Sequence, residues 1–401
     1  MEIRENKYNL YFALFVIVSA YLNTILIVIP GSSWSLFRLL VPFIILIYLP
    51  IFKTDFVKYF IYCFIVLVYS YLICYLPFNR FQKFDLIFAL HYVLVPFCFI
   101  AIKIFVRMVG VDSLYKIFRN LHLLMLLLAV IQYSIGGTYP NTQNRLPMIN
   151  IFFWNENEFS ATLAIFLPIF FLAERNILLK YGVSFLSLFF IVYSDARLLI
   201  IGLAIFFGVF FATKFPIYKF KGLWILVFSI ILVVFYINFR DLKIFGEYTI
   251  FDIFFDSIRR IVTLDDYEGV GSLITRVNAY IWGTTELIRT CFFGIGPGNS
   301  LQIMLENTPT GLEDVSAKSF HNILLQIIVE IGFIGIGLII FLYKFVRQTI
   351  KYSNQDKLIV ISYYIAGIIF TTILSGAFSN YSFIFIFIFS SYFFRSNLIF
   401  K

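Results

Sequence analysis

The 401-residue chain has few charges, few histidines and few cysteines. Only 13% of its residues are charged and only 3 are histidine, whereas a soluble domain carries about a quarter charged residues. The four cysteines, Cys63, Cys74, Cys98 and Cys291, are scattered without a CxxC pair, so neither a disulfide framework nor a metal site is indicated. The scarcity of charge excludes a soluble globular protein.

Apolar residues are abundant instead. Hydrophobic residues make up 61% of the chain, phenylalanine alone occurs 53 times, and the mean hydropathy is +0.92. The net charge of +9 does not indicate a nucleic-acid partner, because the basic residues of membrane proteins collect in cytoplasmic loops. The composition therefore predicts an integral membrane protein.

The hydropathy pattern predicts an all-α fold of about twelve transmembrane helices in a single polytopic membrane domain, residues 1–401. Each helix needs about 20 apolar residues to cross the hydrocarbon core. We interpret the first span as a retained helix, because it is too long for the apolar region of a signal peptide. The predicted spans are 9–30, 36–52, 59–77, 84–102, 120–136, 156–173, 181–195, 198–213, 222–239, 321–343, 358–375 and 380–394.

Lysine and arginine set the predicted orientation. With a cytoplasmic N-terminus, 19 of the 31 basic residues fall in inside segments and only 5 in short outside links. Cytoplasmic links carry such an excess, and long loops are exempt from the rule. We therefore expect both termini in the cytoplasm and residues 240–320 in an extracytoplasmic loop between the ninth and tenth helices.

The long loop contains two predicted helices. Tyr248–Val262 has an apolar face of phenylalanine and isoleucine, which favours equally a helix in the membrane interface or one packed on other helix ends. Ser272–Ile288 is a second helical stretch, and it ends before a glycine-proline-glycine turn at Gly296–Gly298. The acidic residues between these helices have poor spacing for a cation site and indicate a solvated turn; they are Asp265, Asp266 and Glu268.

Three cationic or titratable residues are predicted near the outer membrane face. Arg197 lies in the short link YSDAR, Arg276 lies on the second loop helix, and His321 begins the tenth span. Each has an ordinary explanation when taken alone. Arg197 can extend to the interface or pair with Asp195, Arg276 can be solvated, and a single histidine is more often structural than catalytic.

Two polar motifs accompany these residues. In GIGPGN, residues 294–299, the glycines can present backbone N–H groups to an anion or simply form a tight turn. In WNENEF, residues 154–159, Asn155 and Glu158 can cap a helix or contact a hydroxyl-rich ligand.

The order of these motifs resembles the O-antigen ligase/O-antigen polymerase family of bacterial membrane glycosyltransferases. The series runs WNENEF, DAR, SLITRVNAYIWG, GIGPGN and SFHNILLQIIVEIGFIG, over about residues 150–345. Within it, GIGPGN is followed about twenty residues later by HN and E-x-G-x-x-G, and DAR is a looser version of the family's Ser-Arg pattern.

The resemblance implies a C-type membrane glycosyltransferase-like fold and an undecaprenyl-diphosphate-linked glycan donor. By resemblance, Arg197 and Arg276 hold the diphosphate, His321 lies beside the acceptor, and neither a metal nor another cofactor is required. Guanidinium groups bind phosphate oxygens bidentately, and a histidine can deprotonate a sugar hydroxyl. The expected substrate-binding residues are Asn155, Glu158, Gly296, Gly298, Asn299 and Asn322.

Several functions fit this resemblance. We favour polymerisation of lipid-linked repeat units into an O-antigen or capsule, and the alternative is a ligase that moves finished polymer to another acceptor. A lipid-linked oligosaccharide flippase, which more often has two similar halves, is an alternative of another class, and a structural or receptor protein is a third. The expected location is the bacterial cytoplasmic membrane, and the expected partners are the glycan donor and acceptor, the lipid bilayer, a flippase and a chain-length regulator.

Overall fold

The computed structural model shows a helical protein with two short hairpins. The helices follow the apolar runs of the sequence, and the hairpins lie in the links between them. The described residues are 7–22, 26–29, 32–136, 149, 151, 153, 156–194, 196–214, 243–245, 248–249, 271–307, 322–372 and 380–396.

The first part of the chain alternates helices with short links and contains one hairpin. Its two strands are antiparallel, with Leu26 opposite Ser35 and Ile29 opposite Ser32. The elements are α1 (Lys7–Tyr21), β1 (Leu26–Ile29), β2 (Ser32–Ser35), α2 (Leu36–Tyr48), α3 (Lys53–Cys74), α4 (Leu86–Ser134) and α5 (Glu156–Ala173).

The second part contains a second small hairpin and seven further helices within the described ranges. The elements are α6 (Ile177–Tyr193), α7 (Arg197–Lys214), β3 (Lys243–Phe245), β4 (Tyr248–Thr249), α8 (Gly271–Arg289), α9 (Asn299–Asn307), α10 (Ile323–Lys351), α11 (Lys357–Thr371) and α12 (Tyr381–Arg395). Strands β3 and β4 are antiparallel.

Short polar side chains fix where several helices begin. A side-chain oxygen before the first turn accepts a hydrogen bond from a backbone N–H that has no partner within the helix. Because each such residue follows a link and precedes an apolar run, helix starts are sharply defined. The capping residues are Asp85 of α4, Asn176 of α6, Asn322 of α10, Asp356 of α11 and Asn380 of α12.

Glycines interrupt the two longest helical ranges. In α4, Gly110 has non-helical backbone angles (φ 81°, ψ 161°), a region that residues with a β-carbon rarely adopt. In α10, Ile331 and Gly332 break the helix about two turns after its start. The second break is the one that shapes the candidate site.

Contacts along the chain define one end of the helix bundle, which we call the site end. Arg38 of α2 donates to Tyr381 of α12 (2.9 Å), and the neighbouring Asn380 donates to the backbone carbonyl of Glu158 in the first turn of α5 (3.1 Å). Further contacts at this end join α5 to the α6–α7 link and α4 to α6; they are Ser160 with Ser194 and Tyr133 with Tyr193.

The opposite end carries many of the lysines and arginines, and we call it the basic end. Lys103 of α4 pairs with Asp55 of α3 (2.7 Å), and Arg119 pairs with Glu174 after α5 (3.5 Å). Arg395 at the end of α12 donates to Thr349 of α10 (3.2 Å). These basic residues, which the sequence assigns to cytoplasmic segments, lie at one end of the bundle, and the side of the membrane that each end faces stays a prediction.

Aromatic rings fill the core between the helices. Phe118 of α4 lies 6.3 Å from Phe166 of α5 and 4.9 Å from Phe389 of α12, ring centre to ring centre. Gly202 of α7 lets Phe370 of α11 approach so closely that a β-carbon there would lie 2.5 Å from the ring. Tilted and edge-on ring pairs of this kind contribute packing energy beyond simple burial.

The described helices bear out the predominantly helical fold. Three of them are long and apolar enough to cross a membrane by length and composition, namely Lys53–Cys74, Leu86–Ser134 and Ile323–Lys351. Seven shorter apolar helices coincide with other predicted spans, from Tyr8–Tyr21 to Tyr381–Arg395. The number of twelve spans therefore stays a prediction, and predicted span 222–239 lies outside the described residues.

The structure corrects three boundaries. Predicted span 9–30 is wrong in its last part, because α1 ends at Tyr21 and Leu26–Ile29 is a strand; the β-branched run before Pro30-Gly31 favours a hairpin. The predicted link between spans 84–102 and 120–136 is helical, and Gly110 interrupts it. The predicted helix Tyr248–Val262 begins as strand β4, and its remainder lies outside the described residues.

Candidate functional site

The glycine-rich turn after α8 is fastened to the broken part of α10. The backbone N–H of Ile295 donates to the carbonyl of Val329 (3.0 Å), and that of Gly296 donates to the carbonyl of Glu330 (2.9 Å). The N–H of Gly298 donates to the Glu330 carboxylate (2.9 Å). The turn therefore uses the backbone groups that the break in α10 releases.

Glu330 is the centre of this arrangement. Its side chain has no exposed surface, and its carboxylate also accepts hydrogen bonds from Tyr92 of α4 (2.6 Å), Gln326 of α10 (3.0 Å) and Ser300 of α9. A buried carboxylate is costly unless donors surround it. Here four donors from three helices and the turn supply that compensation, so one side chain ties α4, α9, α10 and the turn together.

Two glycines permit the close approach of the turn to α10. Gly332 has φ +46°, and a β-carbon there would lie 2.2 Å from the carbonyl oxygen of Phe292. Gly294 has φ +92°, and a β-carbon there would lie 2.7 Å from the carbonyl oxygen of Glu330. Both positions therefore require glycine for steric as well as conformational reasons.

Asn299 connects the turn to the link between α3 and α4. It is 3% exposed, and its amide donates to the carbonyls of Ile295 (2.7 Å) and Lys83 (3.1 Å). From the other side, the amide of Asn79 donates to the carbonyls of Ile73 and Ile295, both at 2.9 Å. The carbonyl of Ile295 thus accepts hydrogen bonds from the side-chain amides of both Asn299 and Asn79, and these two bonds hold the turn in place.

An ion-pair cluster covers the same link. Arg80 pairs with Glu286 of α8 (3.0 Å) and Glu306 of α9 (3.3 Å), and Arg289 pairs with Glu286 (2.6 Å). Because Arg80 is 41% exposed, these pairs contribute little to stability individually. The pairs of Arg80 nevertheless connect α8 and α9 to the α3–α4 link.

Asn322 joins α10 to α8. Its side-chain oxygen caps α10 by accepting from the N–H of Leu325 (3.0 Å), and its amide donates to the hydroxyl of Tyr280. Tyr280 lies four residues after Arg276 on α8, which is about one helical turn. His321 immediately precedes Asn322 in the sequence.

The three predicted catalytic residues are described to different extents. Arg197 is the first residue of α7 and Arg276 lies in the first half of α8, but both side chains lie outside the described part of the structure. His321 lies outside the described residues altogether, as does the predicted substrate residue Asn155. Their roles therefore stay predictions.

The other predicted substrate residues are described, and most are engaged within the protein. The N–H groups of Gly296 and Gly298 serve Glu330, Asn299 holds the turn, and Asn322 caps α10. Glu158 is 1% exposed, and its carbonyl accepts from Thr162 (2.9 Å) and Asn380 (3.1 Å). The side-chain group that the glycine-rich turn binds in this structure is a carboxyl group of the chain itself, that of Glu330.

Some residues of the site end were missed by sequence reasoning. No motif singled out His91, whose ring receives a hydrogen bond from Arg38 (2.6 Å), and Arg38 also donates to Tyr381. Tyr92 and Asn380 were not foreseen either. Their partners are 238 and 222 residues away in the sequence, and a local pattern does not contain such distant pairs. Glu330 had a signal, since it begins the E-x-G-x-x-G motif.

Within the described residues, no three His, Cys, Asp or Glu side chains gather as a metal site. The four cysteines are unpaired.

Comparison with known families gives one match. Residues 182–342 match the sequence model of the family described as O-Antigen ligase, which confirms the predicted resemblance. The matched stretch runs from α6 into α10, and it includes Arg197, Arg276, the glycine-rich turn and His321. No curated protein sequence matches the chain.

Proposed function

We propose that the protein polymerises undecaprenyl-diphosphate-linked oligosaccharide repeat units into a surface polysaccharide. The match of residues 182–342 to the family described as O-Antigen ligase supports this proposal. The transfer takes place at the outer face of the bacterial cytoplasmic membrane. Arg197 and Arg276 hold the diphosphate of the donor, and His321 is the base that activates the acceptor.

The observation that carries this proposal is the contact between Asn322 and Tyr280. It joins the residue after His321 to the residue one helical turn beyond Arg276. The contact supports a site in which a base and a phosphate-binding arginine meet at the junction of α8 and α10. Glu330 and the glycine-rich turn hold that junction in place, because they connect both helices to α4.

The chemistry follows from these residue types. The acceptor hydroxyl forms a new bond to the anomeric carbon of the donor sugar, and its proton passes to His321, a step typically worth about 10²- to 10⁴-fold. The bond from the anomeric carbon to the phosphate oxygen breaks, and the lipid diphosphate leaves. Guanidinium groups remain charged and bind phosphate bidentately, so Arg197 and Arg276 can stabilise the leaving group.

Arg197 approaches from the membrane side of the same end. It begins α7 directly after a link whose Ser194 accepts a hydrogen bond from Ser160 of α5 (2.6 Å). Asn380 fastens the start of α5 to α12. A helix start that is anchored in this way supports a fixed position for an arginine at its first residue.

A ligase is the second candidate, because the matching family is described as O-Antigen ligase. Both reactions use a lipid-diphosphate donor and differ in the acceptor. The glycan profile of a gene deletion separates them. A polymerase deletion loses long chains and retains single repeat units, whereas a ligase deletion still makes polymer but leaves it on the carrier lipid.

Substitution of Arg276 tests the mechanism. Arg276→Lys keeps the charge but loses the two-pronged geometry, so we expect glycan transfer in membranes to fall at least about tenfold, as for loss of one charge-assisted hydrogen bond. Lys83→Gln is the matched control, because it removes a positive charge at the same end without altering a described side-chain contact. Normal transfer by the Arg276→Lys protein at normal expression would refute bidentate binding.

A further inference from the structure

Three cations of the basic end form no ion pair among the described residues. They lie at the junction of α4, α10 and α12, and they are Arg107, Lys351 and Arg395. The acidic residues described at this end are engaged elsewhere, so none of them is left to neutralise the three cations. Asp356 caps α11, and three others pair with a lysine or arginine, namely Asp55 with Lys103, Asp112 with Lys116 and Glu174 with Arg119.

Lys351 and Arg395 share one aromatic ring. Lys351 Nζ lies 5.1 Å, and the guanidinium carbon of Arg395 lies 6.0 Å, from the centre of the Tyr352 ring. Arg395 Nη2 also donates to Thr349 (3.2 Å), and its Nε is buried without a hydrogen-bond partner among the described residues. A ring and a hydroxyl orient a cation but do not neutralise it, so both charges remain available to an anion.

Arg107 lies at the same junction. It is exposed, and its guanidinium carbon lies 5.6 Å from the centre of the Phe52 ring. Arg107 and Arg395 both lie near enough to Tyr392 to act electrostatically on its hydroxyl, as does Asp55. Because Asp55 is paired with a lysine, the junction keeps an excess of positive charge. Like charges close together repel each other, and an anion bound between them relieves that repulsion.

An apolar crevice between α4 and α10 ends close to this junction. Phe99 of α4 packs edge-on against Phe341 and Phe345 of α10, with ring centres 5.2 and 5.0 Å apart. Phe99 lies one helical turn before Lys103, and Phe345 lies one turn before Thr349. Because Phe341 is 47% exposed, a lipid chain can enter the crevice from the surface of the bundle and bring its head to the cations. The other walls are mostly apolar and include Val95, Pro96, Leu338 and Leu342.

We propose that the junction of α4, α10 and α12 binds the phosphate of an anionic phospholipid, with one acyl chain of that lipid in the α4–α10 crevice. Arginines bind phosphate oxygens bidentately and a lysine adds a point charge, and basic pockets between membrane helices bind such headgroups. The apolar crevice favours a lipid over a soluble phosphate or an acidic protein, which offer negative charge without a chain. The proposal does not depend on the reaction that the protein catalyses.

Native mass spectrometry of the full chain in a neutral detergent measures the binding. The probes are dioleoyl phosphatidylglycerol, which is anionic, and dioleoyl phosphatidylcholine, which has no net charge. We expect the first molecule of phosphatidylglycerol to bind at least about tenfold more tightly, and Arg107→Gln to remove most of that preference, because a charge-assisted hydrogen bond is lost. Arg175→Gln is the matched control and should keep the preference, since it removes an exposed arginine of the same end whose side chain forms no described contact.

Further arms locate the lipid and identify its class. Phosphatidylglycerol with a diazirine in one acyl chain should form adducts on residues 95–103 and 338–349, and Arg395→Gln should reduce them about tenfold. Thermal unfolding checks that both arginine variants fold. Inorganic phosphate and poly-glutamate, each at the concentration of the lipid, should not compete. Equal binding of the two lipids, an unchanged preference in Arg107→Gln, adducts outside these residues, or equal competition by phosphate or poly-glutamate would overturn the proposal.

Discussion

The two ends of the helix bundle hold their polar groups in opposite ways. At the basic end, Lys103 and Asp55 form an ion pair with side chains 32% and 26% exposed, and Asp112 and Lys116 form one that is more exposed still. At the site end, Glu330 is fully buried and Asn299 is 3% exposed. The basic end thus has partly exposed ion pairs, whereas the site end adds a buried hydrogen-bond network to the exposed ion pairs of Arg80.

This difference between the two ends indicates that side-chain positions need to be fixed at the site end. Exposed ion pairs contribute at most about 1 kcal/mol and tolerate movement, which suits an end whose basic residues determine orientation. Burial of a carboxylate costs stability unless every oxygen has donors. A chain that buries Glu330 among four donors gains a rigid frame at the site end.

The largest effect on stability should come from Glu330→Ala. This change leaves the donors of Tyr92, Gln326, Ser300 and Gly298 without their common acceptor, and each buried unpaired donor costs about 1–3 kcal/mol. We expect the free energy of unfolding in detergent to fall by about 3–5 kcal/mol. Glu330→Gln keeps the shape of the side chain and one acceptor oxygen, so its free energy of unfolding should fall by less. An unchanged midpoint for Glu330→Ala would show that the network is not the frame of this end.

Substitution of Gly332 in α10 should have the next largest effect on stability, and Gly337 of the same helix provides the control. Gly332→Ala places a β-carbon 2.2 Å from the Phe292 carbonyl oxygen, at a φ of +46°, so we expect a loss of about 2–3 kcal/mol and reduced transfer. Gly337→Ala is the matched control, since nothing lies within 4 Å of that position, and it should be neutral or stabilise by up to about 1 kcal/mol. Equal effects of the two changes on thermal unfolding would contradict the close packing of the turn on α10.

Tyr280→Phe should have a smaller effect on stability than on activity. It removes the hydroxyl that accepts from Asn322, which costs about 1 kcal/mol. Because the contact relates α8 to the start of α10, we expect a larger fall in the rate of glycan transfer than in the affinity for the lipid-linked donor. If the rate of glycan transfer and the affinity for the donor both stay at the level of the unchanged protein, the contact does not position the site.

The smallest effect should come from the basic end. Asp55→Asn removes the partly exposed ion pair with Lys103 and should cost at most about 1 kcal/mol, with no change in transfer. Added salt should reduce the difference from the unchanged protein, because it screens exposed pairs. A severe loss of transfer would show that the two ends are not separate in function.

Much of this architecture was predictable from the sequence, and the reasons are local. Apolar runs placed most helices, and the short α6–α7 link at Ser194–Arg197 and the helix before the glycine-rich turn were also predicted correctly. The hairpin at Leu26–Ser35 was missed, because an apolar run of this length suits a helix and a strand equally.

The site network was harder to predict, because its pairs are distant in sequence. Arg38 and Tyr381 are 343 residues apart, and Tyr92 and Glu330 are 238 apart. Local spacing identified E-x-G-x-x-G as a motif but could not reveal the donors that its glutamate meets. Sequence left open whether the glycines of GIGPGN bind an anion or form a tight turn; in the structure the N–H of Gly298 donates to the Glu330 carboxyl, and a role towards a substrate anion stays a prediction.

The most direct test of the account is the rate of glycan transfer by His321→Ala in membranes, with purified lipid-linked repeat units as donor and acceptor and Asp55→Asn as the control. If His321 is the base, transfer should fall by about 10²- to 10⁴-fold, while expression and thermal unfolding remain near those of the unchanged protein. Transfer near the normal rate in a normally expressed and folded His321→Ala protein would contradict the assignment of the reaction to this end of the bundle.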